Sequence, residues 1–128
     1  MEENKKYKVE IVDALNGNMT AKEKIAAKHY DDAISIEQDI LIDIVNYVVL
    51  DVHNELNKDK DTDYVVLVMY DKDGTKYKTS SNSFISSLED IFADLIGEDA
   101  LEEVTTIKVV EKESKNFKGK GFYTAVLV

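Results

Sequence analysis

The feature that most constrains this chain is a pair of β-branched and aromatic runs joined by a glycine turn. Tyr64 to Tyr70 reads as a strand, and Asp71-Lys72-Asp73-Gly74 has the composition of a type I turn with Gly74 in the left-handed position. Thr75 to Ser80 returns as the partner strand. A three-residue turn of this kind pairs Asp71 with Thr75, Tyr70 with Lys76, Met69 with Tyr77 and Val68 with Lys78. One face then carries Val65, Leu67, Met69 and Tyr77. The other carries Tyr64, Val66, Val68, Tyr70, Lys76 and Lys78, a set expected to be too charged for a core. A four-residue loop would move Tyr77 to the other side.

Further elements follow from periodicity. Residues 6 to 12 alternate, with Tyr7, Val9 and Ile11 on one side, and stop at Asn16-Gly17-Asn18. Thr20 and Glu23 have capping-box spacing before helix formers from Ala21 to His29. Ala33 to Ile36 is too short to classify, and Ile40 to Ile44 fits either a helix end or a strand start. From Val45 the alternation is that of a strand, ending at the polar stretch NELNKDKDTD. Ser81, Asn82 and Ser83 precede Phe84, Leu88, Ile91, Phe92 and Leu95, one apolar helical stripe that stops at Gly97. Val104 to Glu111 and Phe122 to Val128 complete the strands, on either side of the loop EKESKNFKGKG.

With residues 1–40 set aside as an N-terminal strand and helix extension, the order is strand, strand, strand, helix, strand, strand. That predicts a mainly β (α+β) fold: an OB-like Greek-key barrel over 41–128 with one helix between strands three and four, in a single domain of 1–128. The first forty residues either extend the barrel or form a dimer contact. In such a barrel the ligand meets the second and third strands and the loops joining strands one to two and four to five. Those loops fall here on NELNKDKDTD and KESKNFKGKG.

Charge decides what that ligand is. The net charge is −10, which on its face opposes a general polyanion binder. Its distribution matters more: residues 108–128 carry five lysines against Glu111 and Glu113, a local +3 that leaves −13 for the rest. All 16 basic residues are lysine, so phosphates would meet hydrated point charges rather than the planar forks that read guanine edges. An AT-rich genome would give the same lysine bias. Phe117, Phe122 and Tyr123 interleave with the lysines, and rings beside ammonium groups suit single-stranded nucleic acid, in which bases stack and phosphates pair. A solvated loop, with Phe117 on a barrel end and Phe122 or Tyr123 in the core, is the plainer alternative. The expected DNA-binding residues are Lys115, Phe117, Lys118 and Lys120 on the last loop, with Tyr64, Tyr70, Lys76 and Lys78 on the hairpin.

Several chemistries have no support. Cysteine is absent, which removes disulfides and thiolate chemistry. His29 and His53 have no local His or Cys partner for a zinc site or a nucleophilic relay. Asp59, Asp61 and Asp63 begin like a calcium loop, but Tyr64 replaces its glycine and Tyr70 its glutamate. No phosphate-binding glycine motif occurs. No enzyme activity, cofactor or metal is expected. The opening MEENKKYKVE has no apolar core, and no run approaches a membrane span, so a cytoplasmic protein is expected. Glu98, Asp99, Glu102 and Glu103 read as a solvated acidic edge.

The segments VNYVVLDVHNE, YDKDGTKYKTSSNSF and SKNFKGKGFYTAVLV resemble the small single-stranded DNA-binding proteins of tailed phages infecting Gram-positive bacteria. The resemblance spans roughly residues 45 to 128. It rests on the D-x-H-N strand end at Asp51 to Asn54, the hairpin at Asp71 to Thr79, Ser83-Phe84 and the loop Ser114 to Lys120. It implies a non-catalytic protein that coats and protects single-stranded DNA during replication in the host cytoplasm, with replication proteins as further partners and a homodimer left open. The chain ends in TAVLV, not in the acidic tail with which cellular single-strand binders recruit partners. An acidic phage protein that occupies a host protein as a DNA mimic is the alternative.

Overall fold

The structure is a computed structural model that describes residues 7–56, 62–113 and 121–128. Its elements are β1 (Tyr7–Ala14), α1 (Ala21–Lys28), β2 (Ile34–Ser35), β3 (Leu41–Asn54), β4 (Asp63–Asp71), β5 (Lys76–Thr79), α2 (Asn82–Gly97), β6 (Thr105–Glu113) and β7 (Gly121–Leu127). The strands make one mixed sheet in the order β2-β5-β4-β3-β6-β7, with β1 paired to β3 beside β6. The sheet curls into a half-barrel.

The curl originates in β3. Its first residues pair with β6 (Leu41 with Lys108, Ile44 with Thr105), while Val48 to Asn54 pair on the same side with β1. Between these stretches a bulge at Val45 shifts the β4 register, and such bulges bend a strand. Residues 40–44, which fitted either helix or strand, are therefore mostly strand. Their alternation was hidden because Ile42 and Ile44 face the core while Leu41 is exposed.

The β4–β5 hairpin has the register its turn demands, with Tyr70 opposite Lys76, Met69 opposite Tyr77 and Val68 opposite Lys78. Gly74 sits at φ +88°, and Asp71 closes the turn by accepting from Gly74 N and donating to Thr75 O, each at 2.9 Å. The buried Asp71 carboxylate also accepts from Asp73 N at 2.8 Å and from Asp43 N at 3.2 Å, which ties the turn to β3.

Helix α2 starts at Ser81, whose hydroxyl accepts from Phe84 N, and buries Phe84, Ile85, Leu88 and Phe92 against one sheet face. Leu67, Met69, Ile42, Val49, Ile107 and Val109 complete that core, and Phe92 meets Tyr47 edge to face at 5.2 Å. Burial, with Asp13 and Glu89 nearby, pushes the Tyr47 phenol up to about 12. No ladder joins β7 to β5 or β2 among the described residues. Instead Ser83 Oγ donates to Tyr123 O and Ser87 Oγ accepts from Ala125 N, both at 2.8 Å, so helix hydroxyls satisfy part of a strand edge that would otherwise be a template for other chains.

The opposite sheet face departs from expectation. Val66 and Val68, placed on a face thought too charged to be a core, are 3% and 0% exposed. They join Val48, Leu50, Val52 and Ala27 in a second cluster, with Val9, Ile11, Met19, Tyr30, Tyr64 and Tyr70 packed around it. The reason is coverage from far away in sequence. Helix α1, held by the Thr20–Glu23 capping box, lays Ala27 over that face.

Candidate nucleic-acid interface

Where the margins of the two clusters meet lies a cleft of about 400 Å³. Tyr30, Tyr64, Lys78, Ser80 and Tyr123 are among its walls. Each arrives from a different element. Tyr64 begins β4, opposite Val52, and Lys78 lies on β5. Tyr123 comes from β7, where its carbonyl is held by Ser83.

Tyr30 belongs to the connection between α1 and β2. That connection is fixed by burial of Ala33 and Ile36 and by parallel pairing of Ile34 with Tyr77 and Ser35 with Lys78. The Tyr30 ring lies under the Lys78 ammonium, 5.9 Å from Nζ to its centroid. Burial and hydrogen bonding with the Tyr7 and Tyr64 hydroxyls raise its phenol well above the tyrosine range, so it stays neutral and hydrogen-bonding at any physiological pH.

A second depression of about 490 Å³ shares Tyr64 and is walled by Lys8, Glu10, Asp51, His53 and Asp63. His53 spans two carboxylates here, with Nδ1 2.7 Å from Asp63 and Nε2 2.6 Å from Glu55. Hydrogen bonds to Glu55 and then Asp63 raise its pKa. Asn54 continues the clamp, donating from N to Thr62 O at 2.7 Å and accepting from Leu56 N at 3.0 Å. The strand end Asp51 to Asn54 thus anchors both ends of the connection between β3 and β4.

Of the expected site residues, Tyr64 and Lys78 meet in the cleft. Lys76 lies beside it, paired to Asp32 at 2.8 Å with its side chain 19% exposed. Tyr70 stands at the other end of β4 and packs on the second cluster; burial raises its pKa. Lys115, Phe117, Lys118 and Lys120 lie outside the described residues, on the connection between the end of β6 at Glu113 and the start of β7 at Gly121. Tyr30 is not among the expected residues, and Tyr123, which the sequence offers either as a ring beside the lysines or as a core residue, packs against the first cluster and lines the cleft. A tyrosine in the polar stretch His29-Tyr30-Asp31-Asp32 was the one hint, since no spacing rule links it to β5.

Rings with one ammonium group can hold a planar, anionic ligand by stacking and charge. Among the described residues no group of three or more His, Cys, Asp or Glu is placed to hold a metal ion, and no helix is long and apolar enough to cross a membrane. No curated protein and no solved structure matches the chain. The family model described as phage single-stranded DNA-binding protein, of the Phi29 type, matches residues 2–127. That span reaches past the motifs of 45–128 and takes in β1, α1 and the Tyr30 connection, and the chain belongs to this family of phage single-stranded DNA-binding proteins.

Proposed function

We propose that this protein binds single-stranded DNA without sequence preference, coating and protecting it during phage replication in the host cytoplasm, and that it does so without catalysis. The observation that carries this reading is the convergence of Tyr30, Tyr64, Tyr123 and Lys78 on one open cleft. Stacking on such rings contributes roughly 1–3 kcal/mol per base and tolerates any base. A basic complement made wholly of lysine favours phosphate tracking over base reading.

β3 to β7 serve as the five strands of an OB-like Greek-key barrel within one domain. Pairing of β3 with both β4 and β6, and the position of α2 between β5 and β6, support this. In that arrangement β4 and β5 form the oligonucleotide face. Lys115, Phe117, Lys118 and Lys120 then extend the path on the neighbouring loop, and Lys76 and Tyr70 flank it. Replication proteins are the further partners.

Fluorescence anisotropy of a labelled dT oligomer of about 30 nucleotides tests the reading, with a duplex control and a Lys115/Lys118/Lys120→Glu variant. The expected result is tight binding to the single strand, with log K falling by about 0.7 per phosphate contact for each decade of salt, and loss of binding in the variant. No binding at low salt, or equal affinity for duplex, sinks it.

A further inference from the structure

The two hairpin lysines beside the cleft are already engaged, and the same short segment engages both. Residues 30–32 form a strap between α1 and β2 that contacts Lys76 and Lys78 of β5. Asp32 Oδ1 lies 2.8 Å from Lys76 Nζ, with the Asp32 side chain 73% exposed and that of Lys76 19% exposed. Lys78 Nζ donates to the Asp31 carbonyl at 3.4 Å and rests over the Tyr30 ring. The strap is held in register by Ala33 N donating to Tyr30 O at 2.9 Å and Ile36 N donating to Lys78 O at 3.2 Å. Lys76 and Lys78 are two residues apart on one strand and share a face. The strap therefore sets a carboxylate against the cationic side of the cleft.

Resting on the single-stranded DNA reading above, we propose that Asp32 is an affinity-setting residue: a built-in counter-charge that holds Lys76 away from phosphate and limits the grip of the β5 side of the DNA path. An exposed ion pair contributes little to stability, because water and salt screen it. The effect of this pair falls instead on the ligand, since a phosphate that approaches Lys76 must compete with a carboxylate tethered beside it. A lysine held by Asp32 releases no counterion from the DNA. Freed, it adds one phosphate contact, which steepens the salt dependence of single-strand binding by about 0.7 in log K per decade of salt.

The full-length protein and the Asp32→Asn and Asp32→Ser variants are titrated against the labelled dT oligomer from 50 to 200 mM salt. Glu102→Gln, which removes one negative charge after α2 and away from the cleft, is the control for net charge. Asp32→Asn should bind more tightly than the parent at low salt with a slope steeper by about 0.7, so its advantage shrinks about 2.6-fold across that range. In a Lys76→Gln background the same substitution should change binding no more than Glu102→Gln does. Circular dichroism confirms that every variant is folded. If both Asp32 variants match Glu102→Gln, or if the gain survives without Lys76, the counter-charge role is overturned while single-strand binding by the parent stands. If the parent itself fails to bind, the functional reading falls first and this proposal with it.

Discussion

On the sheet face beneath α2, Phe84, Leu88 and Phe92 are fully buried against Leu67, Met69 and Ile107. On the opposite face α1 contributes Ala27 as its one buried residue, and Ile25 two positions earlier is 59% exposed. A long apolar stripe with three large side chains makes the first face a core in its own right. The second is closed mainly by the sheet's own valines and by tyrosines at its rim, with a short helix as cover. Elements with few buried apolar contacts open at low free energy, and the cleft takes Tyr30, Tyr64 and Val66 from this lightly covered side, with Ile36 and Tyr123 from the margin of the first core.

The largest expected effect tests the α2 face. Phe92→Ala should lower unfolding free energy by about 3–5 kcal/mol in urea denaturation, through lost transfer energy and the cavity left behind. Val68→Ala on the other face removes two methylene equivalents and should cost about 1.6 kcal/mol plus a small cavity term. Equal losses would mean that both faces carry the fold.

The next effect belongs to the cleft. Tyr30→Ala should weaken single-strand binding by roughly 1–3 kcal/mol while Tyr30→Phe keeps most of it, if the ring stacks on a base. Loss in both variants would assign the role to the hydroxyl, which bonds with Tyr7 and Tyr64. Anisotropy beside an unfolding curve separates binding from stability.

What the sequence made legible divides along the same line. The hairpin register, the Thr20–Glu23 capping box and the α2 stripe follow from contacts within a few residues, and the structure has each of them. Burial of Val66 and Val68 was not legible, because Ala27, Met19 and Val48 come from other parts of the chain. The two-residue β2 exists only through parallel pairing with β5, and that pairing brings Tyr30 under Lys78. That Tyr64 and Lys78 share one face of the hairpin follows from its register. That Tyr30 and Tyr123 join them in one cleft needed the tertiary fold.

A smaller effect probes the α1 cover. Thr20 accepts from Glu23 N at 3.1 Å, and Glu23 accepts from Thr20 N at 2.8 Å. Thr20→Ala removes the first of these bonds and should cost about 1 kcal/mol. Amide exchange in α1 should then quicken about fivefold, with exchange in α2 unchanged if the two covers open independently. Acceleration in both helices would show that they unfold as one unit.

The smallest effect is the His53 clamp at the rim of the second depression. Its carboxylate partners Glu55 and Asp63 raise the histidine pKa above its unfolded value, which is about 6.5. A raised pKa means that the imidazolium is favoured in the folded state. Its contribution to stability is therefore complete below the unfolded pKa and fades as pH rises through the folded one. Both partners are exposed, so the change in stability is slight and the titration itself is the better observable. Proton NMR of the His53 ring should give a midpoint above the unfolded value of about 6.5, and Glu55→Gln should lower it more than Asp63→Asn. An unshifted midpoint would mean that the clamp opens in solution and does not hold the ends of the β3–β4 connection together.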